Sequence, residues 1–159
     1  MLKFLGVIAV LFSMSSYAQE ATVDVSLSPA GSFVGKTADI KGTATMKGDT
    51  VEAQNIVVSL KDLKTGIKLR DEHTQKHLDT AKFPEAVLVS ATGKDGKGEG
   101  VLKIRGIEKK VTGTYTIEGG ILKAEFPIKF SDYNITGIKY MGVGVQDDGK
   151  IKVSVPIKK

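Results

Sequence analysis

Cysteine and tryptophan are absent from this chain of 159 residues, and aromatic residues make up only 6% of it. Without cysteine there is no disulfide, no catalytic thiol and no thiol that could carry an acyl anchor. The two histidines, His73 and His77, are too few for a zinc site, which normally takes three or four protein ligands. The fold must therefore be held by core burial and strand pairing.

Clusters of basic residues are also missing. The formal net charge is +5, but the lysines are spread along the whole chain and mostly alternate with apolar residues. This distribution is typical of the solvated face of a sheet, whereas a nucleic-acid interface shows a basic stripe with stacking aromatic residues. We expect no nucleic-acid partner. Attraction to an anionic membrane surface is compatible with the charge but is not specified by it.

The N-terminus has the pattern of a secretory signal peptide. Lys3 supplies a positive start, Phe4–Phe12 is an uncharged apolar run, and Ser16-Tyr17-Ala18 offers the small residues that signal peptidase accepts. The apolar run is shorter than the roughly 20 residues of a transmembrane helix. We expect cleavage after Ala18, export without stable membrane insertion, and one domain over residues 19–159. Loss of Lys3 would lower the formal charge from +5 to +4.

Alternation of apolar and polar residues dominates the rest of the chain. Near the C-terminus, for example, Ile151, Val153 and Val155 alternate with Lys150 and Lys152. A period of two indicates strands with one dry and one wet face, as antiparallel sheets commonly have. The alternation predicts strands near 21–27, 37–46, 50–60, 85–93, 98–105, 109–118, 121–131 and 150–158.

Glycine-containing turns separate these strands at short intervals, which is typical of a sandwich or a closed barrel. The predicted hairpin turns are Lys47-Gly48-Asp49, Asp95-Gly96, Glu118-Gly119-Gly120 and Asp148-Gly149. Residues 132–147, rich in glycine and tyrosine, fit a short edge strand and a long loop.

One segment breaks the β pattern. Residues 68–78 are mostly good helix formers without glycine or proline, and Pro84 makes continuation of a helix unfavourable. We predict a short helix packed across one end of the sheet. It carries the densest polar cluster of the chain, in which we expect Arg70 and Asp71, with His73 beside them, to make local contacts that hold the helix.

A metal site on this helix is the less favoured interpretation. His73 and His77 share a face, but zincin helices need a glutamate directly after the first histidine, where Thr74 stands. No phosphate-binding loop or catalytic triad pattern is present either. We expect no metal, no cofactor and no enzymatic activity. An enzyme that acts on a lipid or small metabolite through Asp71 and His73 stays open as an alternative.

The dry face of the sheet is the remaining candidate for function. If the sheet closes on itself, inward side chains either fill the barrel or line a cavity. Some inward positions carry small residues that would leave room, namely Ala53, Ala86, Ser90, Gly113 and Ala124. A solid-cored structural or partner-binding barrel is therefore a second alternative to a ligand pocket.

Several motifs resemble those of the YceI-like family. The stretch KTGIKLRDEH (Lys64–His73), followed by Phe83-Pro84, is similar to the central signature of that family. Gly100–Val111 resembles its strand–turn–strand element G-x-L-x-I-x-G-x-x-K-x-V, and Phe130–Tyr133 resembles its late R-x-D-[FY] element. The resemblance covers roughly residues 50–158.

The resemblance implies an all-β fold, an eight-stranded antiparallel lipocalin-like barrel with a helix beside one end. Family members are periplasmic or secreted and hold a polyisoprenoid or related lipid inside the barrel. For this chain it implies a periplasmic carrier of an isoprenoid-type lipid. The residues expected to line its interior are Ile56, Val58, Leu60, Leu88, Leu102, Ile104, Tyr115, Ile117, Leu122, Phe126, Ile128, Val153 and Val155.

Overall fold

A β-sheet that closes on itself makes up most of residues 19–159, the part of the chain that the computed structural model describes. The predicted signal peptide and its cleavage site lie outside the described residues. The strands are β1 (Glu20–Ser28), β2 (Ser32–Thr37), β3 (Ile40–Lys41), β4 (Ala44–Lys47), β5 (Thr50–Ser59), β6 (Glu85–Lys94), β7 (Lys97–Ile104), β8 (Ile107–Glu118), β9 (Ile121–Lys129), β10 (Lys139–Tyr140) and β11 (Val143–Lys158). Helix α1 spans Lys68–Leu78, and a 3₁₀ helix spans Phe130–Tyr133.

Strand β11 closes the barrel. One edge of β11 pairs with β9, and the other edge pairs with β1. Beyond β1, Ile157 and Lys158 at the end of β11 pair in parallel with the start of β4. The closed ring contains seven strands, β4 to β9 and β11, and the β1–β2 hairpin is added to it. The predicted lipocalin-like barrel with one short helix is therefore confirmed.

The predicted count of eight strands is close to the observed arrangement. Strands β2, β3 and β4 follow one another from Ser32 to Lys47; β2 pairs with β1, whereas β3 and β4 pair with β5. Taken as one interrupted strand, they bring β1 into the ring and make the count eight. The prediction of one strand over 37–46 missed that Ser32–Thr37 forms a hairpin with β1.

The predicted hairpin turn at Asp148-Gly149 is wrong, because β11 runs through it. Gly149 pairs with Val25 on one side and Ile128 on the other, and a register shift between Val25 and Leu27 absorbs the extra residues of β11. A Cβ on Gly149 would lie 2.5 Å from the ring of Phe130. This glycine therefore makes room for a packed aromatic ring rather than for a turn.

A β-bulge changes which residues of β6 face inward. Leu88 pairs with Leu102 but Ser90 pairs with Val101, so the strand gains one unpaired residue at Val89. The extra residue shifts the alternation, and Ser90, which was expected to face the interior, is exposed. Ala91 takes the inward position instead.

Helix α1 is held by polar contacts, and none of its residues is buried. The backbone N–H and the hydroxyl of Thr65 each donate to Asp71 Oδ1 at 2.6 Å, and Arg70 donates to the Thr65 carbonyl at 2.6 Å. At the other end, Gln75 donates to the carbonyls of Leu60 and Lys61, both at 2.9 Å. Arg70 and Asp71 thus both make contacts with Thr65 just before the helix, and their role in holding it stays a prediction.

We expect Thr65→Val to lower the free energy of unfolding by about 1–2 kcal/mol at pH 7, because Asp71 loses a hydrogen bond to its charged carboxylate. The Thr65 hydroxyl and then its N–H lower the pKa of Asp71 below 3.8. A carboxylate with a depressed pKa contributes stability above the unfolded value and loses it as pH falls through the folded value.

The difference in free energy of unfolding between the unmodified protein and Thr65→Val should therefore shrink as pH falls below 3.8. Urea titrations at pH 7, 4 and 3 measure it. Thr116→Val removes an exposed hydroxyl from β8 and serves as the control. A pH-independent difference for Thr65→Val would contradict the prediction.

Candidate ligand-binding cavity

The barrel interior contains an apolar cavity of about 500 Å³. Its walls come from inward residues of β1, β2, β5, β6, β7, β9 and β11, and helix α1 with the segment around β10 surrounds its opening. A volume of this size lies within the range of pockets that hold small ligands. The cavity is therefore the candidate binding site.

Nine of the thirteen residues predicted to line the interior line this cavity. They are Ile56, Val58, Leu60, Leu88, Leu102, Ile104, Phe126, Ile128 and Val153. Period-two alternation identified them because successive side chains of a strand point to opposite faces. Their contact with a ligand stays a prediction.

A second cavity of about 80 Å³ lies elsewhere in the barrel, and Tyr115, Leu122 and Val155 line it. The Tyr115 ring packs over Gly93, where an added Cβ would lie 2.5 Å from it. Ile117 lines neither cavity and is 37% exposed, because it stands near the end of β8 beside the turn. The structure thus places these four predicted residues away from the larger cavity.

Arg70 is the cationic side chain at the wall of the larger cavity. Its guanidinium lies 4.3 Å from the ring centroid of Phe33, a cation–π contact, and one of its terminal nitrogens donates to the Thr65 carbonyl. Its Nε is buried without a hydrogen-bond partner among the described residues. Arg70 therefore places a positive charge at the wall of a largely apolar space.

His73 and His77 also line the cavity, one turn apart on α1. The ring of His73 packs edge-on against Tyr140 with centroids 5.1 Å apart, which joins the helix to the β10 segment across the opening. Partial desolvation, followed by the electrostatic effects of His73 and Lys76, lowers the pKa of His77 below 6.5. At neutral pH the cavity wall therefore carries a neutral imidazole at this position.

Asp71 does not line the cavity, since its carboxylate is engaged by Thr65. Within the described residues Asp71 and His73 share no hydrogen bond, and no group of three or more His, Cys, Asp or Glu side chains is placed to hold a metal ion. The helices of residues 19–159 include none with the length and apolarity to span a bilayer. The site consists of an apolar space with a few polar groups at its edge.

The strand pattern did not identify the residues that surround the opening together with the helix. The segment predicted to hold a short edge strand and a long loop supplies six side chains to the wall, namely Ile135, Ile138, Tyr140, Met141, Val143 and Val145. The alternation of Val143 and Val145 with Gly142 and Gly144 was a signal for a strand here. The two glycines obscured this signal because glycine is uncommon inside strands.

A family model and solved structures place the chain among known proteins. A family model described as YceI-like domain matches residues 15–157. The barrel is similar to the crystal structure of Burkholderia cenocepacia BcnA, with a TM-score of 0.64 and 14% identity, covering 86% of this chain and 94% of that one. A search of curated proteins found no match.

A polyisoprenoid-binding domain from Saccharophagus degradans, implicated in plant cell wall breakdown, has a similar fold as well. The TM-score is 0.57 at 13% identity, and the alignment covers 86% of this chain and 91% of that domain. At such low identities both likenesses show the fold alone.

We expect the His77 imidazole to titrate below pH 6.5 in the folded protein and to return to its ordinary value in urea. Because the folded pKa is the lower one, the free energy of unfolding should fall as pH drops below 6.5. NMR titration of the histidine ring protons measures the pKa, with His77→Ala used for assignment. Removal of a like charge by His73→Ala should raise the pKa of His77, and an unchanged value would contradict this account.

Proposed function

Because this chain belongs to the YceI-like family, we propose that it is a non-catalytic carrier that holds a long apolar lipid of the polyisoprenoid type. The observation that carries the proposal is the apolar cavity of about 500 Å³ inside the closed barrel. The polyisoprenoid-binding domain of similar fold supports this ligand class.

The proposed affinity comes from removing the lipid chain from water. Each buried CH₂ group contributes about 0.8 kcal/mol, so roughly ten carbons in the cavity contribute about 8 kcal/mol before the entropy costs of binding. Such a chain needs no polar anchor along its length. This requirement fits the nine predicted lining residues, all of which are aliphatic or phenylalanine.

A polar end of the lipid would be oriented by the groups near the opening. Arg70 and His73 both line the cavity and lie on one face of the helix. The positive charge of the Arg70 guanidinium would attract a polar or anionic end of the lipid. We therefore propose that the polar end of the lipid lies by α1 and its chain extends into the barrel.

The site of action is proposed to be the periplasm, on the basis of the signal-peptide pattern in residues 1–18. A cleaved precursor would release the barrel as residues 19–159. The N-terminal sequence of the protein recovered from an expressing bacterium tests cleavage after Ala18.

The two alternatives receive less support. A cavity of about 500 Å³ favours a ligand pocket over a solid core. An enzyme built on Asp71 and His73 would need both side chains at one site, but Asp71 is held by Thr65 and does not line the cavity. A carrier needs an apolar cavity but no pair of catalytic side chains, so it fits the described residues better.

We expect native mass spectrometry of the protein purified from its own host to show one bound lipid. Val58→Trp should abolish the bound mass, because Val58 lines the cavity and an indole ring would occupy the space. Since the chain lacks tryptophan, the new indole also reports on its surroundings by fluorescence.

Val57→Trp is the matched control, because Val57 is the next residue of β5 and lies outside both cavities. It should retain the lipid. Thermal unfolding of both variants checks that each is folded. If the unmodified protein has the mass of the ligand-free chain and takes up no added prenyl lipid, the carrier proposal is contradicted.

A further inference from the structure

Exposed apolar side chains are concentrated around the opening of the larger cavity. Among residues 19–159, seven large apolar residues are exposed, and five of them also line this cavity. These five residues, which we call the apolar rim, are Ile67, Leu69, Tyr140, Met141 and Val143. A side chain that lines the cavity and is also exposed marks its opening.

The apolar rim has two parts that meet across the opening. Ile67 and Leu69 stand at the start of α1, whereas the other part is the tip of the β10–β11 hairpin, where Met141 has a φ of 49° in the turn. Met141 is 85% exposed, and Ile67 and Tyr140 are each 53% exposed. These fractions are far above those of the barrel wall, so the apolar rim projects from the protein.

Basic side chains outnumber acidic ones around the apolar rim. The lining of the cavity near its opening comes from residues 33–37, 65–78 and 138–145. These segments contain two acidic residues, Asp71 and Glu72, and five basic ones, namely Lys36, Lys68, Arg70, Lys76 and Lys139. The Asp71 carboxylate is engaged by Thr65.

We propose that the apolar rim docks the barrel opening onto the surface of a bilayer that contains anionic lipids. Apolar and aromatic side chains that insert at the level of the headgroups, flanked by basic residues, are the features of a peripheral membrane contact. Basic side chains near such a surface are attracted to anionic headgroups. The docking orients the opening toward the membrane.

A second copy of this chain fits the apolar rim less well. Two apolar rims in contact would bring their flanking lysines together, and like charges oppose association. A bilayer with anionic headgroups instead complements both the apolar side chains and the basic ones. The docking proposal rests on the proposed carrier function. It adds a route by which the lipid would pass between membrane and cavity without crossing water.

Co-sedimentation with vesicles of phosphatidylethanolamine and phosphatidylglycerol at a 3:1 ratio tests the docking surface, with pure phosphatidylcholine vesicles for comparison. We expect binding to the anionic vesicles that weakens with added salt. The double variant Ile67→Ser/Met141→Ser should bind at least about tenfold more weakly, because two inserting side chains are lost.

Ile117→Ser is the matched control, since Ile117 is an exposed apolar residue that lines neither cavity. It should bind vesicles as the unmodified protein does. Circular dichroism confirms that each variant is folded. Failure of the unmodified protein to bind, equal binding by the double variant, or self-association that the double variant abolishes would each overturn the docking proposal.

Uptake of a prenyl lipid from detergent solution, measured by native mass spectrometry, separates this inference from the carrier function. The variant Lys68→Glu/Lys139→Glu reverses two charges beside the apolar rim at residues that do not line the cavity. It should take up lipid from detergent as the unmodified protein does but load more slowly from anionic vesicles. If the unmodified protein takes up lipid from detergent but binds no vesicles, the carrier function is supported and the docking surface is contradicted. If it takes up lipid from neither source, the carrier function itself is contradicted.

Discussion

Closure of the sheet by β11 is the constraint on which the rest of this structure depends. The strand pairs with β9 along one edge and with β1 and β4 along the other, so a single segment joins the two ends of the chain. In a chain without cysteine this closure is entirely non-covalent. It removes the free edges of the ring and turns the dry faces of all strands into one shared interior.

That interior contains two packed regions and a cavity. Buried side chains such as Ile56 and Val155 pack closely in one region, and Phe126, Phe130 and Tyr133 belong to another. Between the walls a cavity of about 500 Å³ remains. A ligand that fills an apolar cavity supplies packing contacts to its lining, so binding would also stabilise the fold.

The opening is built differently from the wall. Helix α1 has no buried residue and is attached through hydrogen bonds of Thr65 and Gln75 and the contact of Arg70 with Phe33. Elements with few buried apolar contacts open at a lower free-energy cost than core strands. The His73–Tyr140 contact joins this helix to the hairpin on the other side. The proposed lipid would therefore enter beside a helix that has no buried residue.

The sequence by itself determined the strands, the helix at Lys68–Leu78 and nine residues of the cavity wall, because alternation, helix propensity and turn residues act locally. Only the tertiary structure decided the course of β11 through Gly149 and the exposure of Ser90. It also decided that the wall encloses a cavity and that Met141 lies at the opening. These features depend on which distant strands pair and where a bulge shifts their register, and such pairings leave no local signal in the chain.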